Sequence, residues 1–245
     1  MIKRIFILLF LLLITVYLIV AVTVFNTKPA DQTCKGMELI INDSIDHGFI
    51  TQKEVLRLLN SKKLSPIGKK MGDINTRLLE DELSKHPLIE NVECYRTPGR
   101  KIGIEVTQRL PLLRVMAANG DNYYIDSKGK VMPIPNSSAH VAVVTGSVDR
   151  DFATKELYKL GIFLQNHPLW EAQIEQINVT PAKELELVPR VGEHIIFLGK
   201  PGDYEEKFER LKIFYKKGLN QVGWNKYSRI SLEFSNQIIC TKKEK

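Results

Sequence analysis

From Ile5 to Phe25 the chain runs for 21 residues without Asp, Glu, Lys, Arg, Gly or Pro, and no other feature limits its fold as strongly. At about 1.5 Å per helical residue this run reaches roughly 30 Å, the thickness of a bilayer's hydrocarbon core. Only Thr15, Tyr17 and Thr23 are polar within it. A cleaved secretory signal carries a shorter apolar region, roughly 7–15 residues, followed by a small-x-small site. The nearest approach here is Ala21-Val22-Thr23, so a retained single transmembrane helix is expected. Cys34 follows Asp31-Gln32-Thr33, which lacks the Leu and small residues of a lipoprotein cleavage site. Lys3, Arg4 and the terminal amine precede the span, against Lys28 and Lys35 beyond it. That bias predicts a cytoplasmic tail at residues 1–4, with the remainder exported.

All but two of the 35 basic residues follow the span, and they face 28 acidic ones. This excess is too small to point to nucleic acid or to strong binding of anionic lipid. Cys34, Cys94 and Cys240 are odd in number, widely spaced and outside any C-x-x-C arrangement; they suggest neither a zinc site nor a disulfide framework.

Residues 26–36 are polar and read as a linker. A strand is expected over Met37 to Asn42. Thr51 followed by Glu54 forms a capping box that opens a helix over Gln52 to Asn60. Ile74, Leu78, Leu79 and Leu83 fall at helical spacing in a second helix, Asn75 to Lys85, which Pro87 stops. Strands follow at Ile89 to Arg96 and Lys101 to Gln108, joined by the turn Thr97-Pro98-Gly99-Arg100. In the second of them Ile102, Ile104 and Val106 alternate with Gly103, Glu105 and Thr107, which predicts one buried and one wet face. The order strand, helix, helix, strand, strand over residues 37–109 resembles a polypeptide-transport-associated (POTRA) domain.

Over residues 110–241 the pattern changes to hairpins. Strands are expected at Asn122 to Asp126, Lys130 to Met132, Ile174 to Val179, Glu184 to Val188 and His194 to Leu198. Two helices interrupt them, Asp151 to Asn166 and Tyr204 to Lys217. Ser228 to Thr241 alternates at first, with Ile230, Leu232 and Phe234 on one face, and reads as a single half-buried strand. A basic tail closes the chain at residues 242–245. The expected class is α+β: one N-terminal transmembrane helix, a small POTRA-type β-α-α-β-β module, and a distal, mostly antiparallel β domain with two helices.

Motifs that carry chemistry are scarce. There is no G-x-S-x-G elbow, and Ser137-Ser138 lie in a Pro- and Asn-rich stretch. Gly199-Lys200-Pro201 has the wrong glycine spacing for a phosphate loop and Pro201 in place of its hydroxyl; it reads as turn chemistry before a helix. His47, His86, His140, His167 and His194 are isolated, and none pairs at i, i+4 as metal ligands on a helix do. His86 and His167 each precede a proline and read as helix-end residues. Asp121 with Asp126, or Glu184 with Glu186, could form an acid/base pair, although Asp126 reads more simply as a residue bonding its own turn. Asn42, Asn136 and Asn178 begin N-x-S/T triplets, which in a bacterium are chance matches. Lys62, Lys63, Lys69 and Lys70 read as a solvated face, with membrane headgroup contact as the alternative. The final strand has a positive functional reading: at a sheet edge it could accept a partner's strand, whereas inside the sheet it would close the core.

The runs Leu83-Ser84-Lys85-His86-Pro87-Leu88-Ile89-Glu90-Asn91-Val92, Thr97-Pro98-Gly99-Arg100 with Lys101 to Val106, and Gln108-Arg109-Leu110-Pro111 resemble the bacterial cell-division family FtsQ/DivIB, as do Tyr124 to Val131 and Tyr227 to Ile238. Gln108 stands where that family usually has Glu. The resemblance implies a non-catalytic, single-pass scaffold in the inner membrane at the division septum, N-terminus cytoplasmic and bulk periplasmic, with no cofactor, metal or catalytic residue. It implies as partners other divisome proteins, among them FtsB-like and FtsL-like coiled-coil proteins that add a strand to the distal domain, and no nucleic acid. Carried onto this chain, the contact residues are Ser231, Leu232, Glu233, Phe234, Ser235, Asn236 and Gln237, with Phe234 at the family's aromatic position. Glu233 stands where a basic residue is common, and Asn236-Gln237 where small residues are common. Two other readings compete: an envelope receptor or chaperone that uses its POTRA-type module on exported polypeptides, and a membrane-anchored enzyme.

Overall fold

A computed structural model describes the chain except residues 1, 26–28, 43–47, 136–137 and 245, and except the side chains of residues 2, 4, 5, 22–25 and 29. His47, Asn136 and Ser137 lie outside the described residues. The chain divides into two compact units, residues 1–43 with 50–107 and residues 44–49 with 108–245.

The first unit begins with helix α1 (Ile2–Phe25). Its side chains from Phe6 to Val20 are all exposed. Among the described residues no helix is long and apolar enough to cross a membrane, the described side chains of α1 being Lys3 and Phe6 to Ala21. Then come β1 (Gly36–Asn42), α2 (Gln52–Ser61), α3 (Thr76–Leu83), β2 (Ile89–Arg96) and β3 (Lys101–Gln108). The capping box forms as expected, Thr51 accepting from the Glu54 N–H while the Glu54 carboxylate accepts from the Thr51 N–H. Asn75 caps α3 by accepting from Leu78 N–H at 3.1 Å. The strands lie in the order β1-β3-β2. Strands β1 and β3 are parallel, pairing Leu39 with Ile104 and Ile41 with Val106. Val55 and Leu59 of α2 and Leu79 and Leu83 of α3 pack with Ile102, Ile104 and Val106 beneath them.

Two expectations change in this unit. The stretch expected to act as a linker is stitched into the unit from Ala30 onward, and Cys34 is buried. Gly103, expected on the wet face, is buried because the Tyr95 ring lies over it. A Cβ at that position would stand 2.5 Å from the ring.

The second unit carries a nine-stranded sheet in the order β12-β11-β10-β9-β8-β7-β4-β5-β6. Its strands are β4 (Pro111–Ala117), β5 (Asn122–Asp126), β6 (Val131–Met132), β7 (Val143–Gly146), β8 (Ile174–Val179), β9 (Leu185–Pro189), β10 (Ile195–Gly199), β11 (Tyr227–Ser231) and β12 (Ile239–Lys242). Pairing is parallel for β4 with β7, β7 with β8 and β10 with β11, and antiparallel elsewhere. A helical stretch covers residues 150–165 with a π turn at Ala153–Leu157, and another covers 204–222 with a π turn at Tyr215–Leu219. They meet where the ring centroids of Phe163 and Phe208 lie 4.8 Å apart, and Trp170, which follows the first stretch, packs on Phe208 at 4.9 Å.

The fold is α+β with a POTRA-like first unit, but its distal unit departs from expectation in three places. A third helix, Pro168–Gln173, follows His167; Pro168 sits at its first turn, where a missing N–H costs nothing. Strands β4 and β7 were not foreseen. The residues expected to form one strand from Ser228 to Thr241 form two, β11 and β12, with a turn between them.

Candidate functional site

The alternation in the last segment sends Ile230 and Leu232 inward, and both side chains are fully buried. Strand β11 is interior. Ile230 stands opposite Ile196 of β10 on one side and Cys240 of β12 on the other. Leu232 N–H donates to Phe197 O at 2.8 Å, one residue beyond the strand. The chain then leaves the sheet. Of the seven residues expected to contact a partner, Ser231 is paired on both sides and Leu232 belongs to the core. Glu233, Phe234, Ser235, Asn236 and Gln237 form an exposed turn. The open edge is therefore β12, not the segment from Ser231 to Gln237.

The turn is held from a distance. Arg210, on the helix Tyr204–Phe214, donates through Nη2 to Leu232 O at 3.2 Å and through Nη1 to Gln237 O at 3.2 Å and to Phe234 O. Three carbonyls that the sheet does not use thus converge on one guanidinium. Beside it runs a groove of about 440 Å³ walled by Ile213, Phe214, Lys217, Asn236, Gln237 and Ile238. The half-exposed Phe234 and Ile239 flank this end of the sheet.

Edge polarity follows from one hydrogen bond. Lys243 N–H turns inward to Lys226 O at 3.1 Å, and N–H direction alternates along a strand. Lys242 and Cys240 therefore present their N–H groups outward. On one face of the sheet a row of polar contacts crosses the neighbouring strands. Asn178 donates to Glu186 at 3.0 Å, and Arg229 donates to Glu186 at 2.8 Å while its guanidinium covers the Phe197 ring at 4.2 Å. These contacts fix β11 against β9 and β10, and so fix the strand that carries β12.

Two buried polar groups underlie the same end of the sheet. His194 Nε2 lies 2.8 Å from the Tyr215 hydroxyl, and burial holds its pKa below the usual histidine value. Lys207 donates to Leu198 O at 3.0 Å and Lys200 O at 3.1 Å; burial lowers its pKa. Both tie the helical stretch 204–222 to β10 and to the turn that follows it.

The other candidates do not converge. Asp126 accepts from Lys128 N–H at 2.9 Å and Lys130 N–H at 2.8 Å, so it bonds its own turn. Asp121 lies 3.7 Å from Arg150, and Glu186 pairs with Arg229 rather than with Glu184. His167 Nδ1 lies 2.7 Å from Phe163 O, and His86 Nδ1 accepts from Leu88 N–H at 3.4 Å, both at helix ends. All three cysteines are free, and burial pushes the Cys94 thiol to about 12. Gly199, Gly202 and Asp203 turn the chain through positive φ into the helix Tyr204–Phe214. Among the described residues no group of His, Cys, Asp and Glu could hold a metal ion.

Comparison with known families gives two matches, one described as FtsQ/DivIB, C-terminal related, over residues 110–241 and one as a POTRA-like domain over residues 32–107. Three curated proteins named cell division protein FtsQ are similar to the chain. That of Geotalea daltonii is 25% identical over 187 residues, covering 71% of this chain and 66% of the relative. The Rhodothermus marinus protein is 25% identical over 196 residues, covering 70% of the chain and 67% of the relative. The Myxococcus fulvus protein is 27% identical over 171 residues, covering 64% and 57%. The chain thus spans about two thirds or less of the length of these relatives.

Proposed function

The chain belongs to the FtsQ/DivIB family of cell-division proteins, and from that premise we propose that it is a non-catalytic, single-pass scaffold of the bacterial division machinery. Helix α1 crosses the inner membrane with the N-terminus in the cytoplasm, and both folded units lie in the periplasm at the septum. The 24-residue helix over an uncharged apolar run supports this reading. FtsB-like and FtsL-like coiled-coil proteins are its partners, linked through it to the other division proteins and to septal peptidoglycan synthesis.

One observation carries the binding mode: β12 ends the nine-stranded sheet. An edge strand offers a row of N–H and C=O groups to an incoming strand, and main-chain hydrogen bonds supply the affinity. A partner strand laid along β12 would pass the exposed turn from Glu233 to Gln237, where side chains can set specificity. The edge is formed by Ile239–Lys242, and the turn residues flank it.

Replacing Lys242 by proline in the full chain tests this. The substitution removes an outward N–H and leaves the bonds to β11. Loss of one net hydrogen bond of about 1 kcal/mol predicts capture of the FtsB-like partner weakened about fivefold, with lengthened cells. Undiminished capture and normal cell length would overturn the edge reading.

A further inference from the structure

We propose that a hollow at the beginning of the POTRA-like unit binds the phosphate of an anionic phospholipid headgroup on the outer face of the membrane, with Arg100 as the principal ligand. The proposal rests on the reading that α1 spans the membrane. The stretch from Ala30 to Cys34 runs antiparallel to Gly68–Gly72. Gly72 N–H donates to Ala30 O, Met71 N–H to Gln32 O and Cys34 N–H to Lys69 O, each at 2.8 Å, and Gly68 N–H to Cys34 O at 3.0 Å. The basic loop is thereby fastened to the residues that follow α1. Beside this ribbon lies a hollow of about 580 Å³, walled by Ala30, Gln32, Met71 and Gly72 on one side and by Arg96 to Pro98 and Arg100 on the other.

No carboxylate lines it. Arg96 holds the wall in shape, donating to Met71 O at 3.0 Å and Ile74 O at 2.7 Å. Arg100, half-buried in a turn at φ 60°, has no side-chain partner among the described residues. The exposed carboxylates of Asp31 and Asp73 adjoin its lining residues in sequence, but the loop leading to it is basic. Residues 55–72 contain no Asp or Glu but do contain Lys62, Lys63, Lys69 and Lys70, with the exposed Ile67 among them. Lysines around an exposed apolar residue suit a surface that is anionic outside and apolar beneath.

Distance selects the headgroup over a soluble acid. Ala30 follows Phe25, the end of α1, by five residues. Five residues reach at most about 18 Å even when fully extended. The headgroup layer itself extends roughly 5–8 Å beyond the hydrocarbon on each side. The hollow is therefore tethered beside the layer that holds the phosphates, at a permanently high local concentration of them.

Hydrogen exchange of the full chain tests this in nanodiscs of phosphatidylcholine, alone or mixed with phosphatidylglycerol. Amides at residues 68–72 and 97–101 should exchange more slowly when phosphatidylglycerol is present. One basic side chain near an anionic surface is worth about a fivefold factor, so Arg100→Glu and Lys70→Glu should each reduce the protection about fivefold. Lys216→Glu, in the distal unit, should leave it unchanged. Unchanged protection of β2 and β3 will show that the variants remain folded. Equal exchange in both lipids, or full protection in Arg100→Glu, would overturn the proposal. Slowing by inorganic phosphate in neutral nanodiscs would also overturn it, because the site would then be one for free phosphate. Release of the chain from vesicles by carbonate would instead break the spanning premise, an outcome separable from the others.

Discussion

The nine-stranded sheet ends differently on its two sides. At one end β6 has two residues, its Met132 is fully buried, and Pro133 and Pro135 follow at once. Short strands and proline are standard means of blocking an edge against further pairing. At the other end β12 has four residues, only one of them half-buried, and no proline stands between Gly202 and the C-terminus. The turn behind it is held open by Arg210. One edge is closed by its own sequence, whereas the other, despite a register shift between Tyr227 and Arg229 in its pairing with β11, carries no proline to block it. An edge strand is an aggregation hazard unless something covers it, and the strand addition proposed above would cover the β12 edge.

The largest expected effect separates interior β11 from both edges. Ile230→Asp, within β11, places an unpaired charge in the core and should cost about 4 kcal/mol or more. Val131→Asp, at the partly exposed β6 edge, should cost about 0.5 kcal/mol. Trp170 and Trp224 are the two tryptophans and both lie in the distal unit, so tryptophan fluorescence in urea reads that unit alone. Equal midpoints for the two variants would break the assignment of β11 as an interior strand. Phe234→Asp belongs with the exposed class, since its side chain faces solvent.

Next in size is Arg210→Ala. A charged donor bonded to carbonyls contributes about 2 kcal/mol, and its removal leaves three carbonyls of the turn without their partner. The variant should lower the urea midpoint of the distal unit and speed amide exchange across residues 233–238. Exchange at β5 and β6 should stay as it was. If both ends loosen together, Arg210 stabilises the unit generally rather than the β12 end.

Much of the first unit was legible because its signals are local. The Thr51 and Glu54 box, the turn from Thr97 to Arg100 and the alternation in β3 each act within a few residues. The distal sheet was legible only in its hairpins. Strands β4 and β7 pair in parallel with partners far along the chain, and no local turn announces such pairing. The β11 and β12 hairpin reads as one strand in the sequence because Ile238, Ile239 and Cys240 prolong the apolar run. Ser235-Asn236 was the available turn signal. What stabilises that turn, Arg210, lies 24 residues from Phe234, beyond the reach of any local pattern. The residues that the family resemblance points to, Ser231 to Gln237, therefore lie before and within the turn, and the open edge Ile239–Lys242 begins just beyond it.

The smallest expected effect again concerns the β12 end. His194 lies at the start of β10, with Tyr215 at its Nε2 and Trp224 near its ring. Burial holds its pKa below the ordinary 6.5. The unfolded chain therefore takes up a proton at this residue at a higher pH than the folded one does, and stability rises with pH wherever the unfolded state binds more protons. His194's contribution is present above pH 6.5, is lost as pH falls from there towards the depressed folded value, and changes no further below it. Tryptophan fluorescence should show the urea midpoint of the distal unit declining across that window. His194→Gln, less stable at every pH for want of the same packing, should flatten the decline, whereas His86→Gln in the other unit should leave it unchanged. A decline that survives His194→Gln would move the titration to another group, such as Glu193, whose carboxyl the Lys243 ammonium holds below its usual value at the same end of the sheet.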